Sequence, residues 1–167
     1  MIVNSVVLGD IEVDDNQVIR FENGMPGFEQ LKAFVLVQLE PELPFSYLQS
    51  VEEAEVAFLL TDPFTFYPGY DIQLSEQVIE DLRIGDEKDV QVWSVVTMKE
   101  DIHSATMNLL APVIINTKEV NGRQVILQNT KYVTKHPLVA GQSELQSSQT
   151  AASKESSGVT TTDGDGE

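Results

Sequence analysis

The side chains best suited to acid–base or metal chemistry in this sequence are two histidines and three runs of neighbouring carboxylates. His103 and His136 are the only histidines, and they lack the close spacing with which two histidines on one element hold a metal ion. A metal site would therefore require distant parts of the chain to converge. The simpler interpretation is that both histidines lie on the surface.

The carboxylate runs are Asp14-Asp15, Glu52-Glu53-Glu55 and Asp86-Glu87-Asp89. General acid–base catalysis needs two carboxylates in different environments, one of them partly buried. Charge runs between apolar stretches more often form solvated turns, and the first run lacks the glycine and distal glutamate of a calcium loop. The sequence also has no GxSxG motif and no glycine-rich phosphate loop. We therefore predict that the protein is not an enzyme and uses no metal or cofactor.

The charge of the chain is concentrated at one end. The net charge is −17, and residues 1–101 contain 21 acidic against five basic residues, a net −16. Residues 102–139 contain one acid against four basic residues, and residues 140–167 contain five acids against one lysine. A folded domain with this excess of acids repels nucleic acid and anionic membranes, and it attracts basic proteins. Solubility alone is an equally simple explanation of the acidity.

A short aromatic segment, residues 61–71, is the candidate for a protein interface. Four aromatic residues fall within seven positions, and two prolines argue against a central strand there. Aromatic rings supply contact area at interfaces, and neighbouring acids select a basic partner. The alternative is that the two phenylalanines close the end of the core. We predict that Phe64 is buried and that the partner-binding residues are Asp62, Phe66, Tyr67, Tyr70, Asp71 and Met98.

The elements that must position these residues are mostly strands. Short runs rich in Val, Ile, Phe and Tyr alternate with turn residues, a pattern typical of all-β proteins. Strands are predicted near residues 2–8, 11–13, 18–21, 33–39, 45–51, 56–61, 90–98, 106–110, 113–116 and 124–127. With these strands, the fold class is all-β: a small antiparallel β-barrel-like domain with one short α-helix.

That helix is predicted over residues 75–84. Ser75 can cap its first amides, and Gly85 can end it. Val78, Ile79 and Leu82 would share its buried face. Asn121-Gly122 predicts a tight hairpin turn, because both residues tolerate positive φ.

Four further residues have mainly structural interpretations. Trp93 is expected in the core, since both faces of its strand can be covered. Asn108, Asn116 and Gln124 are expected to satisfy backbone groups at strand ends.

The predicted folded domain is residues 1–139. Residues 140–167 form an acidic, Ser/Thr-rich tail with too few apolar side chains to offset the entropy of ordering, so it is predicted to be disordered. The chain has no cysteine, no basic-then-apolar leader at its start, and no apolar run long enough to span a membrane. A cytoplasmic protein without membrane contact is therefore expected.

Several stretches of the chain resemble the flagellar assembly factor FliW family. They include Met25-Pro26-Gly27-Phe28, Leu48-Gln49-Ser50, Thr61-Asp62-Pro63-Phe64 and the longer run 108–116, which reads NLLAPVIIN. Residues 9–13 and 122–127 also match. The stretches occur in the family's order and cover about residues 1–138, so the resemblance rests on their combination.

The resemblance implies a small β-barrel-like protein with two protein partners. One is CsrA, a basic dimeric RNA-binding protein that represses flagellin translation, and the other is flagellin before export. Flagellin occupies the protein and frees CsrA to repress; once flagellin leaves, the protein binds CsrA and relieves repression. The alternative is a flagellin-specific export chaperone without CsrA regulation.

Overall fold

In the computed structural model, which describes residues 1–138, strands make up most of the regular structure. Eleven strands and two short helices follow one another along this part of the chain. The strands are β1 Ile2–Ser5, β2 Gly9–Glu12, β3 Ile19–Arg20, β4 Ala33–Gln38, β5 Phe45–Ser50, β6 Ala57–Thr61, β7 Val90–Thr97, β8 Thr106–Met107, β9 Val113–Asn116, β10 Asn121–Gln124 and β11 His136–Pro137. The helices are α1 Pro63–Phe66 and α2 Glu76–Asp81.

Seven of these strands close into a barrel. The order β7–β6–β5–β4–β3–β10–β9 returns to β7, because β7 also pairs with β9. Six of the seven pairings are antiparallel, and the remaining one, between β10 and β3, is parallel at Asn121 and Arg20. The predicted barrel of mainly β structure is therefore confirmed, with one parallel junction where the barrel closes.

The barrel interior is filled by large apolar side chains from alternate strand positions. Phe21 and Phe34 are fully buried and meet edge to face, with ring centroids 5.1 Å apart. Leu48 and Leu60 are fully buried in the same cluster, and Trp93 packs against it half-buried. The inward-facing residues of these strands therefore fill the interior, and Trp93 lies against it as expected.

Two further layers cover parts of the outer barrel surface. The β1–β2 hairpin packs Val3 onto Val35, on the outer side of β4. On the far side, α1 and the segment after β8 pack Phe66 and Leu109 into a cluster with Val96 of β7. Between the two layers, Phe45 of β5 packs against the second one, and Tyr47 of β5 is half-buried.

Helix α2 confirms the predicted helix but is shorter than expected. Ser75 caps it, accepting a hydrogen bond from the Val78 amide at 3.2 Å. Arg83, and not Gly85, ends the helix: it adopts φ = +56°, and the amide after it, at residue 84, bonds back to the carbonyl of Ile79 at 2.9 Å. Ile79 is 38% exposed, so its predicted burial is wrong.

The hairpin between β9 and β10 is present, but its turn is not where the sequence predicted it. Residues 117–120 form the turn, and Val120 takes the positive φ of +55°. Asn121 and Gly122 instead lie within β10, so the strand predicted at 124–127 begins earlier and ends at Gln124. Gly122 is required in the strand because an added Cβ would lie 2.7 Å from the Phe21 ring.

No helix among residues 1–138 is long and apolar enough to cross a membrane. The tail predicted to be disordered, residues 140–167, lies outside the described residues.

Candidate partner-binding surface

The aromatic segment after β6 begins with a capped helical turn that the sequence did not predict. The Asp62 side chain accepts a hydrogen bond from the amide of Phe64 at 2.9 Å, and Pro63 occupies the first helical position. An aspartate cap followed by proline is a strong helix start. Asp62 therefore has a structural role in addition to any role in binding.

The helical turn reverses the predicted positions of the two phenylalanines. Phe66 is 3% exposed and packs near Phe45, whereas Phe64 is 40% exposed. Residues two apart in an α-helix point about 200° apart, so only one of the pair can face the barrel. The prediction that Phe64 is buried and Phe66 lies at the rim is wrong.

The two tyrosines of the segment are bound into the fold. Tyr70 is 5% exposed, and its hydroxyl donates to the carbonyl of Leu109 at 2.8 Å. The Tyr67 hydroxyl donates to the carbonyl of Pro137 at 2.6 Å. Burial, with a smaller contribution from the neighbouring Tyr132, raises the pKa of Tyr70 well above its ordinary value. Tyr70 is therefore not at the rim, and its ring is not available to a partner.

The remaining two predicted residues lie apart. Asp71 is exposed, and its amide donates to the Tyr132 hydroxyl at 3.0 Å. Met98 is 42% exposed and directly follows β7. Because Thr61 pairs with Ser94, the register separates Met98 from Asp62 by about five strand positions, roughly 16 Å. The six predicted residues do not form one surface, and their role in binding stays a prediction.

The exposed acids are a chemically distinct feature of the surface. Within residues 1–138 there are three ion pairs, and of the 21 acids up to residue 101 only Asp81 and Asp86 take part in them. Some others hold the backbone: Glu52 accepts from the amides of Lys32 at 2.8 Å and Ala33 at 3.2 Å. Most of the remaining carboxylates face solvent without a partner and contribute their full charge to the surface.

An apolar row crosses the outer face of the sheet beside these acids. Val37 of β4 pairs with Tyr47 of β5, which pairs with Leu59 of β6, and all three are half-buried. Side chains of directly paired residues lie on the same face of a sheet. The sequence alone does not predict this row, because it follows from the pairing of β4 with β5 and of β5 with β6.

The three polar residues assigned structural roles do have them. Asn116 is 1% exposed; its amide donates to the carbonyls of Leu82 and Arg83, and its Oδ1 accepts from two amides after β9. Asn108 Oδ1 accepts from two amides of the next turn, and Gln124 donates to the carbonyl of residue 111 at 2.9 Å. All three satisfy backbone groups at strand ends.

The two histidines lie in separate parts of the fold and in different environments. His136 is half-buried and its Nε2 accepts from the amide of Val133 at 3.1 Å, while His103 is exposed in a separate turn. Burial lowers the pKa of His136, which favours the neutral ring that this hydrogen bond requires. No group of three or more possible metal ligands occurs among the residues that the structure describes.

Comparison with known proteins identifies the fold and the family. Residues 2–138 match the family model described as FliW protein. The chain belongs to the FliW family. This FliW-family chain has a TM-score of 0.78 to a crystal structure of the flagellar assembly factor FliW, at 42% identity, with 83% of this chain and 96% of that chain covered.

Proteins of the same name from several bacteria are similar over nearly their whole length. The flagellar assembly factor FliW of Alkaliphilus metalliredigens (strain QYMF) is 39% identical over 158 residues, 93% of this chain and 98% of the relative. That of Bacillus subtilis (strain 168) is 40% identical over 138 residues, 83% and 96% of the two chains. The resemblance seen in the sequence is therefore confirmed, and the FliW-family chain has a role in flagellar assembly.

Proposed function

We propose that this protein regulates flagellin synthesis in the cytoplasm by binding two proteins in turn, the translational repressor CsrA and flagellin. When flagellin is scarce, the protein binds CsrA and relieves repression. When flagellin accumulates, it occupies the protein and CsrA is released. The protein acts by contact alone, without catalysis and without binding RNA or membrane itself.

The observation that carries this proposal is the unpaired acidic surface. A basic RNA-binding protein is attracted to such a surface over roughly 8–10 Å at physiological salt, the Debye length. Acids consumed in internal ion pairs would not exert this attraction, but within residues 1–138 nearly all the acids of the N-terminal part are free of such pairs. The surface therefore supports a basic partner and opposes direct contact with nucleic acid.

A competition experiment tests the proposal. The full-length protein is immobilised and loaded with purified CsrA, and flagellin monomer is then added in excess. Release of CsrA into solution is the expected result. A protein that binds no CsrA at any salt concentration would contradict the proposal.

One observation favours the alternative of a flagellin export chaperone without CsrA regulation. Ile126 is 64% exposed and Val133 is 52% exposed. Leu110 lies between their segments, because its amide donates to the carbonyl of Val133 and its carbonyl accepts from the amide after Ile126. An exposed apolar surface of this kind suits an amphipathic helix of an unassembled protein.

The same immobilised protein separates the two candidates. A chaperone of this kind would bind no CsrA in the first step and would retain flagellin in the second. Its binding of flagellin would therefore be the same with or without CsrA. The regulator would bind either protein alone and lose one when the other is added.

A further inference from the structure

Tyr47, in the middle of β5, lies on the outer face of the barrel between two covering layers and is half-buried. The β1–β2 hairpin covers Val35 on one side, and α1 with the segment after β8 covers Val96 on the other. Val37 packs against the first cluster and Leu59 against the second, and Tyr47 lies between them and belongs to neither. Its hydroxyl has no hydrogen-bond partner among the described residues, so both its ring and its polar end are available to a partner.

Exposed apolar side chains extend this face at both ends. At the β4–β5 turn, Leu39 is 40% exposed and Leu43 is 41% exposed. At the β5–β6 turn, the hairpin tip adds Val6, 69% exposed, whose amide bonds to the carbonyl of Ala54 at 2.9 Å. We call the surface formed by these side chains the β5 strip; it consists of Val37, Tyr47, Leu59, Leu39, Leu43 and Val6.

Carboxylates without cations flank the β5 strip at the same two ends. Glu40 and Glu42 lie in the β4–β5 turn, and Glu53 and Glu55 lie in the β5–β6 turn; all four are exposed. Residues 33–82 contain no Lys, Arg or His. Lys32, just before this stretch, donates to the backbone carbonyl of residue 22 at 2.9 Å. The strip is thus apolar along its middle and strongly negative at its ends.

The charge pattern decides among possible occupants. A second copy of this chain would bring carboxylates against carboxylates, and like charges in contact cost several kcal/mol. Nucleic acid would meet the same repulsion. A segment with apolar side chains between two groups of Lys or Arg complements the strip along its whole length.

Resting on the proposed function, we infer that the β5 strip is the docking surface for the basic partner, CsrA. The partner's apolar side chains pack against Tyr47 and its neighbours, and its cations meet the acids at the two turns. β5 has six residues, so these two groups of cations lie about 20 Å apart. The aromatic segment 61–71 then supports the neighbouring layer and is not the interface.

Three variants with the same change of charge test this inference in the full-length protein. Tyr47→Lys places a cation in the middle of the strip, Phe64→Lys does so in the aromatic segment, and Ile126→Lys does so on the exposed surface after β10. Binding of purified CsrA is measured by surface plasmon resonance, and folding by thermal denaturation. Tyr47→Lys is expected to weaken binding at least about tenfold, mainly through faster dissociation, and the other two to change it about twofold or less.

Equal losses of CsrA binding in all three variants would overturn the assignment of the strip as the docking surface, because only overall charge would then matter. A larger loss in Phe64→Lys would assign the interface to the aromatic segment. A photoreactive phenylalanine analogue at position 47 gives a second measurement that does not depend on the lysine variant folding: cross-linking to CsrA from position 47 and not from position 126 supports the strip, and the reverse overturns it. If the unaltered protein binds no CsrA, the proposed function fails and the assignment of the strip fails with it.

Discussion

The hydroxyl of Tyr70 donates a 2.8 Å hydrogen bond to the carbonyl of Leu109, joining the loop after β6 to the segment after β8. Both residues are buried, so the bond lies inside the layer that covers β7. The Tyr132 ring packs edge to face on Tyr70 at 4.7 Å. Aromatic residues that look like an interface in the sequence therefore hold this outer layer in place.

Replacing Tyr70 with phenylalanine should lower the free energy of unfolding by about 1–2 kcal/mol. The ring stays, but the buried carbonyl of Leu109 loses its donor, and a buried unsatisfied acceptor costs about that much. Urea denaturation at pH 7 measures the change. An unchanged midpoint would mean that water replaces the hydroxyl and that the bond adds nothing.

The same variant should change the response of stability to alkaline pH. The pKa of Tyr70 is raised in the folded state, chiefly by burial and then by Tyr132, so folding favours the protonated phenol. This contribution is complete below the unfolded-state pKa of about 10 and is lost as pH rises from there toward the higher folded-state pKa. Between pH 9 and pH 11, about one unit either side of that value, the free energy of unfolding should fall more steeply with pH for the unaltered protein than for Tyr70→Phe. Urea denaturation at each pH measures it. Parallel curves would contradict the burial of this phenol.

Asn116 should be among the most destabilising positions for alanine substitution. Its side chain makes four hydrogen bonds while 1% exposed, linking the end of α2 to the turn after β9. Asn116→Ala should cost about 3 kcal/mol or more, since several buried backbone groups lose their partners together. Gln124→Ala is the matched control: it removes one bond at a half-buried site and should cost about 1 kcal/mol. Equal costs for the two variants in urea denaturation would contradict this account.

Gly122 and Gly85 make a matched pair of glycines. A Cβ at Gly122 would lie 2.7 Å from the Phe21 ring, whereas a Cβ at Gly85 meets nothing within 4 Å. Gly122→Ala should destabilise the protein by about 2 kcal/mol through overpacking, and Gly85→Ala should be neutral or slightly stabilising. Thermal denaturation of both variants checks the difference. A tolerated alanine at 122 would show that Phe21 can move aside at small cost.

These positions also show how far sequence reasoning extends. The fold class, the helix start at Ser75 and the capping roles of Asn108 and Asn116 follow from local chemistry, because a cap or strand end needs the same groups wherever it occurs. The prediction of a turn at Asn121-Gly122 is wrong. Gly122 provides space next to the Phe21 ring within a strand, and this need outweighs the local turn preference. Long-range packing of this kind leaves no periodic signal.

The candidate site was less predictable for a related reason. Phe64 and Phe66 are the same residue type in the sequence, and only the unpredicted helical turn α1 decides which of them is exposed. The outward row through Tyr47 depends on which strands pair and on which layers cover them. Neither fact is contained in the pattern of one strand.

Charge reversal should slow association with CsrA when it removes acids that are free of internal contacts. Glu53→Lys with Glu55→Lys changes the turn at one end of the β5 strip, and neither side chain has a partner among the described residues. The association rate at low salt should fall about tenfold, because steering by opposite charges acts before contact. Glu52 must be left in place, since it holds two backbone amides and its loss would disturb the fold.

A second pair of reversals separates local docking from overall charge. Glu80→Lys with Glu87→Lys makes the same change in net charge on exposed residues outside the strip. This pair should slow association about threefold or less, and both effects should disappear near 1 M salt, where the Debye length is about 3 Å. Association rates equal to those of the unaltered protein at low salt would contradict electrostatic steering altogether. Equal slowing by the two pairs would instead show that the whole acidic surface, and not the β5–β6 turn, attracts the basic partner.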